Sequence, residues 1–475
     1  VDDRVVAAGA VLTARPDAGR GSVQGGAVMR CAILVLVGSL VAACGASNEG
    51  GAPASGFLVG YAEADVTPAN GTVMGGYGMP GGLRVITGVH DRLRAQATLF
   101  QNPAGQSFLL IEVDDTGWFW EFGGTGPGLR EVRTRIVEGL ADRVTLEAKD
   151  IVIASSHSHA APDMMGFWQK IREPIPRAQL DQYADWLVDV GVRSADVLVP
   201  ATLHTGSTTL TGYTGADSHY TDRLDDTVGV LQARGLDGKP LVTFVNYGKH
   251  PTLLPEGNTL ASADFIWGLR SELEPETGAP VVFLLGFEAA VHDGPKVAEL
   301  EGADDFERAY AMGKVLADAV RPVLAGLAAS DDTTILARET TTSSAIEGSI
   351  MVQVYEMLHM PFRTISGQEG AWVLDEMPVS WHKLGPVELA AFPGEGTPAY
   401  SFRLRDHVVS PLALVLANAN DAIGYLVDPE TAAADTSGQL EHYELRMGLG
   451  APAGPAVWSA HEGLGWFDGA WKTNQ

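Results

Sequence analysis

Short apolar runs that stop abruptly at polar loops recur along this chain, and they constrain its fold more than any other feature. Ile151–Ser155 and Val281–Leu285 are each about the length of a strand buried on both faces. Arg92–Phe100 and Ser107–Asp114 read as strands around the turn Asn102–Gly105. Thr227–Ala233 and Leu241–Tyr247 read the same way around Gly235–Pro240. Val387–Phe392 and Leu412–Leu416 are further strand-like runs. Between these runs, Leu129–Leu140, Leu180–Leu198 and Phe306–Leu327 carry helical spacing, and Ser401–His407 fits a short helix. The alternation predicts an α/β fold, a mixed β-sheet with packed helices, forming one large domain over 57–475. No repeat at solenoid or propeller periods interrupts it.

Composition narrows the chemistry. Asp and Glu number 59 against 32 Lys and Arg, a net charge of -27, so a nucleic-acid backbone would be repelled and nucleic acid is not an expected partner. The chain's 2 cysteines, Cys31 and Cys44, both precede the folded region. That region therefore has no disulfide framework, no cysteine nucleophile and no thiolate zinc site.

The leader has its own logic. In 29–44 a single arginine precedes an apolar run too short for a stop-transfer helix, and Val41-Ala42-Ala43-Cys44 resembles the bacterial lipobox. The expectation is a lipoprotein signal peptide over 29–44, with 1–28 an upstream extension that is not part of the protein. Cys44 is then the lipidation site. Gly- and Ser-rich 45–56 suits a flexible tether, and the whole is expected in the bacterial cell envelope, held to the membrane by its lipid anchor.

Three histidines stand at strand ends. His157-Ser158-His159 follows Ile151–Ser155 directly, and residues two apart on extended backbone face the same way. Neutral imidazole is the commonest metal ligand, and a strand end opening into a loop is where an α/β fold places its reactive groups. His250 follows Leu241–Tyr247; a single histidine before proline also suits a hydrogen-bonded core position. Glu395 follows a tight turn after Val387–Phe392, where it also fits the acidic start of a helix. Tyr425 closes Asn420–Tyr425 and equally suits core packing.

Several blocks in order resemble the neutral/alkaline ceramidase family. They are Gly60–Pro68 with Met74-Gly75-Gly76-Tyr77, then Gly88–Leu93, Ser155–Pro162, Asn246–Thr252 with Ser262–Phe265, Pro393-Gly394-Glu395 and Asn420–Tyr425. Together they span roughly 57–430, far more specific than one motif. The resemblance implies a catalytic domain holding zinc through His157, His250, Glu395 and Tyr425, with Tyr443 a competing tyrosine and His159 a catalytic residue that either supports the ligands from behind or polarises the substrate. It implies a zinc-dependent hydrolase of linear amides that cleaves the N-acyl bond of a sphingolipid or another N-acylated lipid.

The chain departs from that family twice. Where the family carries a serine block after its matching strand, this chain reads Gly286–Pro295 with no serine. Either hydrolysis needs no such residue, or Glu288, His292 or Asp293 supplies a different acid/base; Glu288 and His292 are the catalytic candidates. About fifty residues follow Tyr425, too few for the immunoglobulin-like domain that ends the family's ceramidases. Two other readings compete. An amidohydrolase-type barrel also begins with His-x-His but requires eight regular βα units. A non-catalytic envelope lipoprotein would keep the fold and bind only lipid or metal. Gly123–Gly128 lacks a phosphate loop's Lys-Ser/Thr, and no Gly-x-Ser-x-Gly occurs. The cluster Trp118, Phe119, Trp120 and Phe122 suits a packed satellite core, or else an acyl-chain platform.

Overall fold

The computed structural model describes residues 56–78, 83–170, 173–216, 224–347, 350, 365–368, 371–434 and 443–465. Cys44 and the rest of the leader lie outside the described residues.

The apolar runs become the edges and centre of a nine-stranded mixed sheet. Its order is Val281–Leu285, Pro240–Tyr247, Thr227–Gly235, Val199–Thr209, Phe57–Asp65, Arg94–Gln101, Ser107–Val113, Ile151–Ser155, with Ala328–Ser330 paired to Val199–Thr209. Pairing is antiparallel through the middle and parallel at both ends, Val281–Leu285 against Pro240–Tyr247 and Ile151–Ser155 against Ser107–Val113. Strand alternation sends side chains to two cores. Val281, Phe283, Leu285, Ile151 and Ile153 pack beneath the helices, while Val282, Leu284, Val152 and Ala154 pack against a second sheet. The four longest helices among the described residues are Leu129–Leu140, Arg177–Arg193, Phe265–Thr277 and Asp305–Ala325. The second sheet has five strands: Ile335–Ala345, Ala371–Leu384, Val387–Ala391 and Leu412–Leu416 in that order, with Ile365–Gln368 paired to Ala371–Leu384.

A buried ion network fixes Phe265–Thr277 to the sheet. Arg270 donates to Asp114 at 2.6 Å, Glu112 at 2.9 Å and Gln96 at 2.8 Å, so Asp114 is spent on structure rather than chemistry. Such a network stands or falls as a unit, because removing the guanidinium would leave two carboxylates buried together. Among the described residues no helix is long and apolar enough to cross a membrane.

The segment that follows Leu412–Leu416 decides where the site lies. The Ala417 N–H donates to the Leu285 carbonyl at 3.0 Å, and the Ser155 N–H donates to the Asn418 carbonyl at 3.1 Å. Asn420 locks the same contact: its N–H donates to the Ile153 carbonyl at 2.7 Å, and its side-chain oxygen accepts from Ile153 at 2.9 Å. Ile151–Ser155 and Val281–Leu285 are opposite ends of the strand order, yet this segment bonds to both. Their loops consequently open at one place.

Candidate metal centre

Each reactive side chain reaches that place from a strand end. His157 leaves Ile151–Ser155 with φ 63°, the left-handed region that a non-glycine residue enters only when its surroundings hold it there. The ring is aimed by its Nδ1, which sits against the carbonyl of Thr116. A carbonyl only accepts, so Nδ1 carries the proton and Nε2 turns its lone pair toward the cluster. Ser158 anchors the intervening turn by donating to the Ser262 carbonyl at 2.8 Å. The Ser262–Phe265 block then continues into a helix whose N-cap is Asp264.

His159 is held by the Met74–Tyr77 block. A β-carbon on Gly76, whose φ is 94°, would lie 2.2 Å from the His159 ring, so glycine alone leaves room. Tyr77 packs edge-on against that ring at 4.7 Å and donates to the carbonyls of Thr252 and Leu254 at 2.9 and 2.8 Å. His250 follows Pro240–Tyr247. The three imidazole centroids lie 4.9, 5.0 and 5.2 Å apart.

Glu395 completes the group. A β-carbon on Gly394 would meet the Gly424 carbonyl at 2.3 Å, which explains the Pro-Gly-Glu turn. The backbone of Glu395 pairs in register with Tyr425. Its two oxygens stand 3.4 Å from His157 Nε2 and 3.4 Å from His250 Nε2. It does not start the following helix, which begins at Pro398 behind the N-cap Thr397. His157, His250, Glu395 and Glu288 each offer one ligand atom within 4.8 Å of the others, as do His157, His159 and His250.

Electrostatics prepare the group for a cation. Burial pushes His250 down to about 4, against the pull of Glu395 and with help from His157, and it holds His159 well below the usual histidine range, so both imidazoles are neutral. Burial opposes charge on His157 and Glu395 alike, but their mutual attraction prevails, raising the histidine and lowering the carboxyl. Burial first, then the charge of Glu395, raises Glu288 well above the carboxylate range. Burial likewise keeps the Tyr425 phenol protonated, reinforced by Glu395. Oε2 of Glu395, Nε2 of His250, Nδ1 of His159 and both oxygens of Glu288 are buried without a hydrogen-bond partner. Buried polar atoms are rarely left so. Imidazole nitrogens and carboxylate oxygens converging without partners fit a divalent cation such as zinc.

A cleft leads to the cluster. His157, His159, Glu395, Asn418, Tyr425 and Tyr443 form its polar floor, and Phe119, Met165, Phe167, Trp168, Ile423 and Met447 its apolar walls. The loop carrying Met165 to Trp168 is tied down by Asp163, whose carboxylate accepts from the N–H groups of Met165, Gly166 and Trp168 at 3.1, 2.8 and 2.9 Å.

No protein-family model matches the chain. A stretch of 238 residues, 44% of the chain, is 23% identical to neutral ceramidase A of Dictyostelium discoideum, and 239 residues are 23% identical to neutral ceramidase B of the same organism. Each match spans 30% of the relative's own length. Among solved structures, neutral ceramidase from Pseudomonas aeruginosa aligns with a TM-score of 0.67 at 17% identity, over 87% of this chain and 74% of that one. A ceramidase complexed with C2 aligns at 0.65 and 17% identity, over 88% and 76%. The chain has the fold of the neutral ceramidases.

Within that fold the expected residues are distributed unevenly. His157, His159, His250 and Glu395 come together, Tyr425 stands beside Glu395 at the cleft, and Tyr443 also lines the cleft with its ring 5.9 Å from that of Tyr425. Glu288 joins the cluster. His292 is exposed on the short strand Val291–Asp293, outside both ligand groups, and Asp293 pairs with Lys249 at 2.6 Å. In the aromatic cluster Trp118 is core, its Nε1 donating to the Pro127 carbonyl at 3.3 Å, whereas Phe119 reaches the cleft. Two contributors were not read from sequence. Thr116 acts through its carbonyl, which no side-chain pattern betrays. Asn418, 1% exposed with φ 44° and both side-chain polar atoms unpartnered, lies in the Asn-Ala-Asn-Asp run, where a left-handed asparagine was the available clue.

Proposed function

We propose that this chain is a zinc-dependent hydrolase of N-acyl amide bonds, acting on a sphingolipid or another N-acylated lipid. The observation that carries the reading is one cleft in which a His-and-carboxylate cluster forms the floor and apolar side chains form the walls. The relatives and structural neighbours named ceramidase support the choice of an amide as the bond cleaved. His157, His250 and Glu395 would hold the ion, with Tyr425 beside Glu395 as the further oxygen that the family resemblance implies. When bound, the ion supplies Lewis acidity toward an acyl carbonyl and toward a water.

The remaining work falls to the chain. The Thr116 carbonyl keeps His157 in the tautomer that directs Nε2 inward. His159, neutral and lining the cleft, is placed to polarise a polar group of the substrate. Phe167, Trp168 and Met165 exclude water from the acyl chain. The test is release of free fatty acid from a medium-chain ceramide by the purified, zinc-loaded chain, with a chelator-treated control. Turnover that disappears on chelation and returns with zinc is expected. Absence of turnover on every N-acyl lipid, with zinc bound, would favour the non-catalytic envelope lipoprotein that the serine-free Gly286–Pro295 loop also suits.

Attachment to the bacterial envelope through Cys44 belongs to the same proposal, and it rests on Val41–Cys44 alone. Mass spectrometry of the membrane fraction should find the mature protein beginning at an acylated Cys44; an unmodified Cys44, or a different mature terminus, would end that part of it.

A further inference from the structure

Glu288 is fully buried, and neither of its oxygens has a hydrogen-bond partner. A lone ionised carboxylate in such a place is strongly unfavourable. The turn that carries it is held firmly. The Ala289 N–H donates to the Gly396 carbonyl at 3.1 Å, the Val291 N–H donates to the carbonyl of Glu288 itself at 3.0 Å, and Ala290 sits at φ 60°. The side chain is therefore delivered to the cluster, where its ligand atom lies within 4.8 Å of those of His157, His250 and Glu395. The cleft reaches His157 and Glu395, but Glu288 is not among its lining residues. A carboxylate placed behind the cluster cannot touch the scissile amide, but it can face an ion. Two carboxylates with two neutral imidazoles also match the charge of a divalent cation.

We propose that Glu288 is a protein ligand of the metal ion, not a proton carrier for the substrate; the inference rests on the metal-hydrolase reading above. Its position corresponds to the serine block of the family that the sequence resembles, so the departure there changes the metal's surroundings rather than substituting one acid/base for another.

Glu288→Gln keeps the shape of the side chain and removes its charge. The full chain and the variant are stripped of metal, titrated with zinc alone against a chromophoric chelator, and loaded with cobalt for visible spectroscopy. Zinc affinity is expected to fall by at least about 10–100-fold, the loss typical of removing even an outer-shell partner. The cobalt spectrum should change while circular dichroism does not. If Glu288→Gln fails to fold, Glu288→His carries the test, since replacing a ligand oxygen by an imidazole nitrogen changes the cobalt spectrum only if the position faces the ion. A Glu288→Gln chain with the parent's zinc affinity and cobalt spectrum overturns the ligand assignment and leaves the hydrolase reading standing. So does a folded Glu288→His chain with the parent's zinc affinity and cobalt spectrum. A parent chain that binds no zinc overturns both.

Discussion

His157 meets three demands with one residue. It ends a buried strand, enters the left-handed region at a cost of about 1–3 kcal/mol, and donates Nδ1–H to Thr116 so that Nε2 faces Glu395. One imidazole donates at one edge and presents a lone pair at the other, which a carboxylate, unable to donate, and a lysine, unable to accept, cannot do. His157→Ala is accordingly expected to lose most of its zinc, to less than about one tenth of the parent's content after dialysis. It should also be less stable without metal, because Glu395 is then buried beside a single imidazole; breaking a buried ion pair costs about 3–5 kcal/mol. Elemental analysis and chemical denaturation read the two effects separately. Stoichiometric zinc in the variant would remove His157 from the ligand set. His157 and His159 were legible in the sequence because period-two geometry is local. Glu395 and His250 were legible only as members of ordered blocks, since nothing in Pro-Gly-Glu or Lys-His-Pro by itself says that the two side chains end 3.4 Å apart.

At the scale of elements, apolar periodicity was a good guide wherever a strand is covered on both faces. Ile151–Ser155, Val281–Leu285, Leu412–Leu416 and the helix Leu129–Leu140 have the bounds that the pattern predicts. It failed where the covering is one-sided. The strand Ile335–Ala345 runs Ile-Leu-Ala-Arg-Glu-Thr-Thr-Thr-Ser-Ser-Ala and is mostly half-exposed, so it shows no apolar signal, and its long partner Ala371–Leu384 went unread with it. The expected helix Leu180–Leu198 is Arg177–Arg193. Leu198 suggested a longer apolar stripe, but the helix stops at Ser194 and the next strand begins at Val199, leaving Val197 69% exposed between them. Spacing also could not reveal that Ala417–Asn420 bonds to the two end strands of the larger sheet. That contact joins residues more than a hundred positions apart, and it is what brings Glu288 to His157.

The whole molecule sets a metal-ready cluster at the end of an apolar cleft, in a fold shared with the neutral ceramidases and in a chain of strongly acidic composition. The relatives match over 30% of their own length, so the shared fold supports an activity without transferring one. What this chain must do by itself is gather the ion. The most direct measurement is X-ray diffraction from zinc-loaded crystals on the two sides of the zinc absorption edge. A single anomalous peak among His157, His250, Glu395 and Glu288, present above the edge and lost below it, is the result the account predicts. No peak there, or one placed at surface carboxylates while the cluster stays empty, would contradict it.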